Sequence, residues 1–362
     1  MKICFFGSSL VSSYWNGAAT YYRGILKALA ALGHEIVFFE PDAFERQSHR
    51  DIPDPEWARV VVYPATPDGW QRSLEIASRS ADLLVKASGV GVFDQELETA
   101  IIDIPSWARR IYWDVDAPAT LDEIEGNPAH HLRKAIPRYD MVFTYGGGDP
   151  VVRAYRRVGA RDCVPIYNAL DRAHHFPVEP VSEFSSDLGF LGNRLPDREA
   201  RVDAFFLDAA RRLPARRFLL GGSGWDSKKV PVNVKSIGHV GTNYHNAFFC
   251  SGLATLNVNR ESMARYGFSP PTRVFEAVGA GACLITDEWK GIDLFLERDR
   301  EVLVAADGDE VAGYLEGLTP VRAREIAKRA RRRILAHHTY TQRAFQVHEL
   351  LEGSSKQIEA TG

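Results

Sequence analysis

Short apolar runs alternate with helical spacings along almost the whole chain. In the first half the runs fall at residues 3–7, 35–39, 83–87, 110–115, 141–145 and 164–167. They are continuously apolar rather than alternating, which predicts strands covered on both faces and hence a parallel α/β sheet. Helical patterns fill the gaps, the clearest over residues 17–32, ending at Gly33 as a helix stop should. The rhythm breaks at residues 171–186, which read DRAHHFPVEPVSEFSS, a polar, proline-bearing stretch suited to an interdomain linker. It then restarts, with strands expected at 188–191, 217–221, 234–237, 253–258, 282–286 and 301–305. Helices are expected at 198–213, 271–278, 309–315, 321–337 and 341–351.

The pattern therefore predicts two Rossmann-like, doubly wound α/β domains, at residues 1–170 and 187–340, joined by the linker at 171–186. A last helix at 341–352 and a disordered polar tail at 353–362 complete the expectation. In such sheets ligands bind beyond the carboxyl ends of the strands, at the topological switch. With two domains, the natural place is a cleft between them.

Composition narrows the class. The 362 residues are 45% hydrophobic and 25% charged, with a formal net charge of -3, which gives no overall attraction to nucleic acid. Cys4, Cys163, Cys250 and Cys283 all lie in apolar runs without a Cys-x-x-Cys pair, so they read as core residues of a reducing compartment. The N-terminus is too soon interrupted to be a signal peptide, and no apolar run reaches membrane-spanning length. A cytoplasmic location is expected. The basic run 322–333 reads as a solvated helix face, leaving at most peripheral membrane contact.

Candidate chemistry gathers at strand ends. The first βα turn, Gly7 to Gly17, lacks the Gly-x-Gly-x-x-Gly fingerprint, and no P-loop is present. Asn16 and Gly17 open the following helix, either as a cap or as a place where a ligand meets its N-terminus. Gly192, Asn193 and Arg194 follow a strand and offer backbone amides and a guanidinium to a diphosphate. Gly222 and Trp225, in Gly-Gly-Ser-Gly-Trp, offer close approach and a flat face for a base, or else a flexible loop with a packed Trp. Gly238 and His239 end another strand, where main chain can read a base edge. Asn259 and Arg260 end the strand Leu-Asn-Val-Asn-Arg. Arginine suits phosphate because its planar fork donates two parallel hydrogen bonds.

The stretch from Ser269 to Thr286, SPPTRVFEAVGAGACLIT, carries most. Ser269 is the expected N-cap of an apolar helix that displays Arg273 and, three residues on, Glu276. Arg273 offers charge to phosphate. Glu276 accepts from ribose hydroxyls or pairs with Arg273. In the first domain Asp114 and Asp116 end a strand, with Asp116 the candidate acceptor-side base unless the two acids cap the next helix. Tyr145 and Gly147 belong to a further strand-end loop expected to face the same cleft. His174 and His175 read as surface histidines of the linker, and no metal is expected.

These motifs resemble the C-terminal half of CgeB-like (spore maturation) proteins, within the GT-B glycosyltransferases. The likeness runs over residues 187–350, through Gly-Phe-Leu-Gly192, the Gly221–Trp225 loop, Asn257 to Arg260, Ser269 to Gly281, Thr286-Asp287 and His338-Thr-Tyr340 with Arg343. The resemblance implies a nucleotide-sugar donor, a UDP-sugar by preference, held mainly by the second domain. Glu276 would hold the donor ribose, with Arg260 and Arg273 near the phosphates and Arg260 catalytic. It implies a final helix crossing back to the first domain and a metal-independent transfer with UDP as product and no cofactor. The acceptor, a glycan, small molecule or protein, would lie near Asn16, Gly17, Asp114, Asp116, Tyr145 and Gly147. Many retaining relatives carry a second Glu eight residues earlier, where this chain has Phe268. Retention remains the preferred outcome. Two other functions fit the same architecture, a nucleotide-sugar epimerase and a non-catalytic nucleotide-sugar or glycan-binding protein.

Overall fold

A computed structural model describes residues 1–14 and 16–359; for residues 354–359 it describes the backbone alone. The chain divides into two compact units, residues 1–168 with 340–362, and residues 169–339. Among the described residues no helix is long and apolar enough to cross a membrane.

The first unit is built on seven strands. They are β1 (Lys2–Phe6), β2 (Glu35–Asp42), β3 (Arg59–Pro64), β4 (Leu83–Ala87), β5 (Arg109–Asp114), β6 (Met141–Thr144) and β7 (Cys163–Pro165). Their order is β3-β2-β1-β4-β5-β6-β7, and every pairing is parallel. β4 is buried at all five positions and β1 at four, as the continuous apolar runs require. β3 is the strand that the pattern does not predict. It lies at the sheet edge and buries only Tyr63, so its apolar run is short and flanked by Arg59 and Pro64. The helix Tyr340–Glu359 belongs to this unit. It runs beyond the expected end at residue 351, into the segment expected to be a disordered tail; residues 360–362 of that tail lie outside the described residues. The helix packs against the helix Ala19–Ala31, where Gly24 makes room for it. A Cβ on Gly24 would fall 2.2 Å from the Tyr340 ring.

The second unit holds β8 (Ser186–Leu191), β9 (Phe218–Gly221), β10 (Val234–Gly238), β11 (Gly252–Asn257), β12 (Leu284–Asp287) and β13 (Leu303–Ala305). The order is β10-β9-β8-β11-β12-β13, again all parallel. The expected helix over 198–213 starts earlier, at Pro196, and carries a π-helical segment, Asp203–Leu207, in its middle. Its Phe205, Phe206 and Leu207 join a buried core with Phe190, Phe218, Leu220, Leu256 and Ile285. In this sheet the strand order reverses between β8 and β11, which puts the switch point at their carboxyl ends.

Candidate functional site

The loops after β8, β9 and β10 are laced together by main chain. Gly192 N donates to Gly221 O at 2.9 Å, and Gly222 N to Gly238 O at 2.7 Å. Gly222 has φ +125, and a Cβ there would fall 2.2 Å from the Gly192 carbonyl oxygen, so only glycine lets these two loops touch. Asn193 Oδ1 accepts from Ser223 N at 3.0 Å. The Gly238 carbonyl is already used by Gly222, while His239 beside it is exposed.

Two residues expected at the nucleotide are committed elsewhere. Trp225 is not a surface for a base. It is 1% exposed, meets the Phe190 ring edge-on, and donates Nε1–H to Gly192 O at 2.7 Å. A large flat side chain next to an apolar core gains more from burial than from waiting for a ligand. Arg194 is tied to Glu199, with Nε–Oε2 2.7 Å, and Lys228 shares that carboxylate at 2.7 Å. It serves to fasten the loop rather than to meet a diphosphate.

The guanidiniums gathered at the Gly192 loop are instead those of Arg198 and Arg273. Both reach Gly192: a Cβ there would lie 2.6 Å from Arg273 Nη2 and 3.0 Å from Arg198 Nη1. The two guanidiniums fill the space that a side chain at this position would take. Arg273 lies over the Phe190 ring at 5.2 Å and donates Nη1–H to Asn257 Oδ1 at 3.3 Å. Among the described residues it makes no ion pair. Burial, and then the like charge of Arg198, push its guanidinium down to about 9. Arg198 escapes a reading of the sequence because Asp197-Arg198-Glu199 looks like any solvated helix start. Its position in the first turn after the β8 loop is the only signal.

The end of β11 supports this pair. Asn257 Nδ2 donates to Thr286 Oγ1 at 3.0 Å and to Asn259 Oδ1 at 3.2 Å. Asn259 is wholly buried; its N–H donates to both oxygens of Asp287 at 3.1 Å, while its Nδ2 has no protein partner. Asp287 also holds Arg201 at 2.7 Å, although burial raises its pKa. Arg260 is turned onto Asp197, at 2.6 Å.

Ser269 is not the helix cap. The helix is Thr272–Gly279 with Pro271 at its N-cap, and Ser269 Oγ donates to Gly267 O at 3.0 Å. Pro271 lacks the amide that a cap at Ser269 would bond at the second helical position, and the helix begins only at Thr272. Phe268 has φ +49 and packs on Gly291, so its ring occupies a left-handed position that few side chains adopt. Glu276 faces the same side as Arg273 but is not paired with it. His175 Nε2 lies 3.9 Å from its Oε1, and among the described residues it accepts no hydrogen bond. His245, nearby, donates Nε2–H to Val240 O at 3.2 Å, and burial lowers its pKa.

In the first unit, two expected acceptor residues prove structural. Asn16 Oδ1 accepts from Ser8 at 2.9 Å, while Nδ2 donates to Ser9 O and Ser12 O at 2.9 and 3.0 Å, which staples the β1 loop. Asp114 is wholly buried, accepting from Ser88 Oγ at 2.7 Å, Asp116 N at 2.9 Å, Thr120 Oγ1 at 3.1 Å and the Tyr155 hydroxyl. Glu40 is likewise buried, anchoring Ser9, Leu10 and Gln47. Asp116 is half-buried at the N-cap of the helix Ala117–Gly126, without a side-chain capping bond. Gly17 is exposed, and a Cβ on it would meet nothing within 4 Å. The half-buried Tyr145 leans on Tyr21, centroids 5.8 Å apart, and Gly147, φ +89, is the N-cap of the helix Gly148–Val158.

Burial raises the Asp114 carboxyl from 3.8 to about 6. Its folded pKa exceeds its unfolded one, so its contribution to stability is full below the unfolded value and is lost as pH rises through the folded one. Raising pH from about 5 to about 7 should therefore cost the wild type more stability than Asp114→Asn. Urea unfolding at the two pH values checks this, and equal slopes would mean that Asp114 titrates normally.

The two parallel doubly wound units, with guanidiniums and a carboxylate at the switch point of the second, have the fold of the GT-B glycosyltransferases. Residues 198–349 match the model of the family described as glycosyl transferase-like, which covers less than half of the chain. No curated protein matches. Solved structures with the same fold include a sucrose-phosphate synthase from Thermosynechococcus elongatus, 14% identical, TM-score 0.69, covering 100% of both chains. Anabaena HepE, in complex with UDP and glucose, is 15% identical with TM-score 0.68, covering 98% of this chain and 100% of its own. An α-glucosyltransferase in complex with UDP and a 13-mer DNA is 13% identical with TM-score 0.67, covering 97% of this chain and 98% of its own.

Proposed function

We propose that the chain transfers a sugar from a UDP-sugar to a hydroxyl-bearing acceptor, without a metal, as a CgeB-like glycosyltransferase. The observation that carries this reading is Arg273, half-buried beside Arg198 at Gly192 and, among the described residues, without a carboxylate; one helical turn on, Glu276 accepts no hydrogen bond from those residues. An array with two cations together and an open acceptor nearby suits a nucleoside diphosphate. The phosphates neutralise the guanidiniums, and the ribose hydroxyls donate to Glu276. As the bond from the sugar to the diphosphate breaks, Arg198 and Arg273 stabilise the growing negative charge, which is the charge a cation would otherwise meet. The β8, β9 and β10 loops with Gly192, Gly222 and Gly238 would carry the nucleotide along their main chain. The acceptor belongs to the first unit, with Asp116 taking its proton. Retention is carried by the family resemblance alone. The UDP in the HepE and α-glucosyltransferase complexes supports uridine as the base.

The test is a thermal-shift series with UDP, ADP, GDP and UDP-glucose, followed by assay of UDP release. UDP should raise the melting temperature in proportion to the logarithm of its concentration. No shift with any nucleoside diphosphate would sink this reading. An epimerised donor with no diphosphate released would replace transfer with epimerisation.

A further inference from the structure

We infer that His175 is a positioning residue that orients Glu276 toward the ribose of the nucleotide; this rests on the donor reading above. The residue lies in the polar stretch between the two α/β patterns, where a histidine would ordinarily be solvated. Its imidazole is instead only 14% exposed, as is nearly true of the Glu276 side chain at 15%.

The turn that carries it is fixed from several sides. Asp171 O accepts from His174 N at 3.2 Å and His175 N at 2.9 Å, and Asp171 Oδ1 accepts from Ala173 N at 2.9 Å. Asn246 Nδ2 donates to His174 O at 2.8 Å. The His175 carbonyl packs so near the helix Thr272–Gly279 that a Cβ on Gly279 would lie 3.2 Å from it. Those contacts hold the backbone and leave the ring to do something else. Its Nε2 is 3.9 Å from Glu276 Oε1, beyond hydrogen-bond length, and its Nδ1 is buried without a partner among the described residues.

A half-buried carboxylate that accepts no hydrogen bond needs donors. The ribose diol supplies two hydroxyls, and His175 Nε2–H supplies a third donor from the other side. A small inward movement of the ring closes the gap, as polar contacts in unliganded sites commonly tighten when the ligand arrives. His175 then fixes which way the carboxylate plane points, and so how well it meets the 2′-hydroxyl.

The experiment compares binding of a nucleoside diphosphate and its 2′-deoxy form by calorimetry, using the best bound of UDP, ADP and GDP. The wild type should prefer the ribo form by about tenfold, the loss of one good hydrogen bond to a charged group. His175→Ala should bring that ratio close to one with little change in binding of the deoxy form. His175→Gln, which keeps a donor amide, should recover part of the preference. If His175→Ala proves unstable, the ratio in His175→Gln against His175→Leu decides, with melting temperatures confirming that both are folded. A merely structural role would weaken both ligands equally, and an unchanged ratio in a folded variant overturns the inference alone. If the wild type binds no nucleoside diphosphate at all, the donor reading falls and this inference falls with it.

Discussion

Arg273→Ala should lower turnover of the donor about 100- to 1,000-fold while leaving the unliganded fold as stable as before. Removing one preorganised donor from a developing anion typically costs about 2.7–4 kcal/mol of barrier, which is that factor in rate. The fold has less to lose. The guanidinium is pushed down to about 9 by burial and by Arg198, so the empty site holds a cation at some cost. Against this stand the bond to Asn257 and the contact with Phe190, each worth about 1 kcal/mol. The gains and losses nearly offset each other. Arg273→Lys should recover part of the rate, since an ammonium keeps the charge but not the planar fork. Steady-state assay of UDP release, with melting temperatures measured alongside, checks both halves. A variant that turns over at the wild-type rate would remove Arg273 from the site.

Trp225→Ala should behave in the opposite way, destabilising the second unit by about 3–5 kcal/mol, as truncation of a buried aromatic does. The ring is part of the core, and its Nε1–H satisfies the Gly192 carbonyl. Trp225→Phe keeps most of the apolar contact and loses that one hydrogen bond. It should stay folded and keep most of its affinity for UDP. Urea unfolding followed with UDP titration separates the two roles. Wild-type stability combined with a large loss of UDP affinity would restore Trp225 as a platform for the base.

The two-unit α/β architecture was legible because buried parallel strands leave continuous apolar runs, and β1, β4, β8 and β11 are such strands. β3 was not, because an edge strand with one buried residue leaves almost no pattern. In the site, strand ends point to the loops that the structure laces together, but not to which partner each side chain takes. Arg194 and Arg198 are four residues apart on one helical start and look alike in sequence. Glu199 and Lys228 claim the first, and the Gly192 gap admits the second. Asn16 and Asp114 read as ligand groups because polar residues at strand ends usually face solvent. Here their hydrogen-bonding capacity is spent on the Ser8, Ser9 and Ser12 loop and on Ser88, Thr120 and Tyr155. Some of these contacts join residues far apart in the chain, as Ser88 and Tyr155 meet Asp114 and Lys228 meets Glu199, and no local spacing encodes them. Glu276 stands out in the sequence, whereas His175, which lies 3.9 Å from it, sits in a stretch whose composition suggests only a linker.

The return of the last helix to the first unit has a consequence for how the molecule is made. A ribosome releases residues 1–168 long before Tyr340, so the notch over Gly24 stays empty while the second unit is synthesised. The bonds from Arg109 to Leu351 O, from Gln346 to Pro165 O and between His34 and His348 all wait for that helix. The second unit is one uninterrupted segment and has no such wait. Domains generally fold as units during synthesis. The unit that begins first is thus the one that finishes last, and a ribosome that stops before Tyr340 leaves the first unit incomplete when the second is already whole.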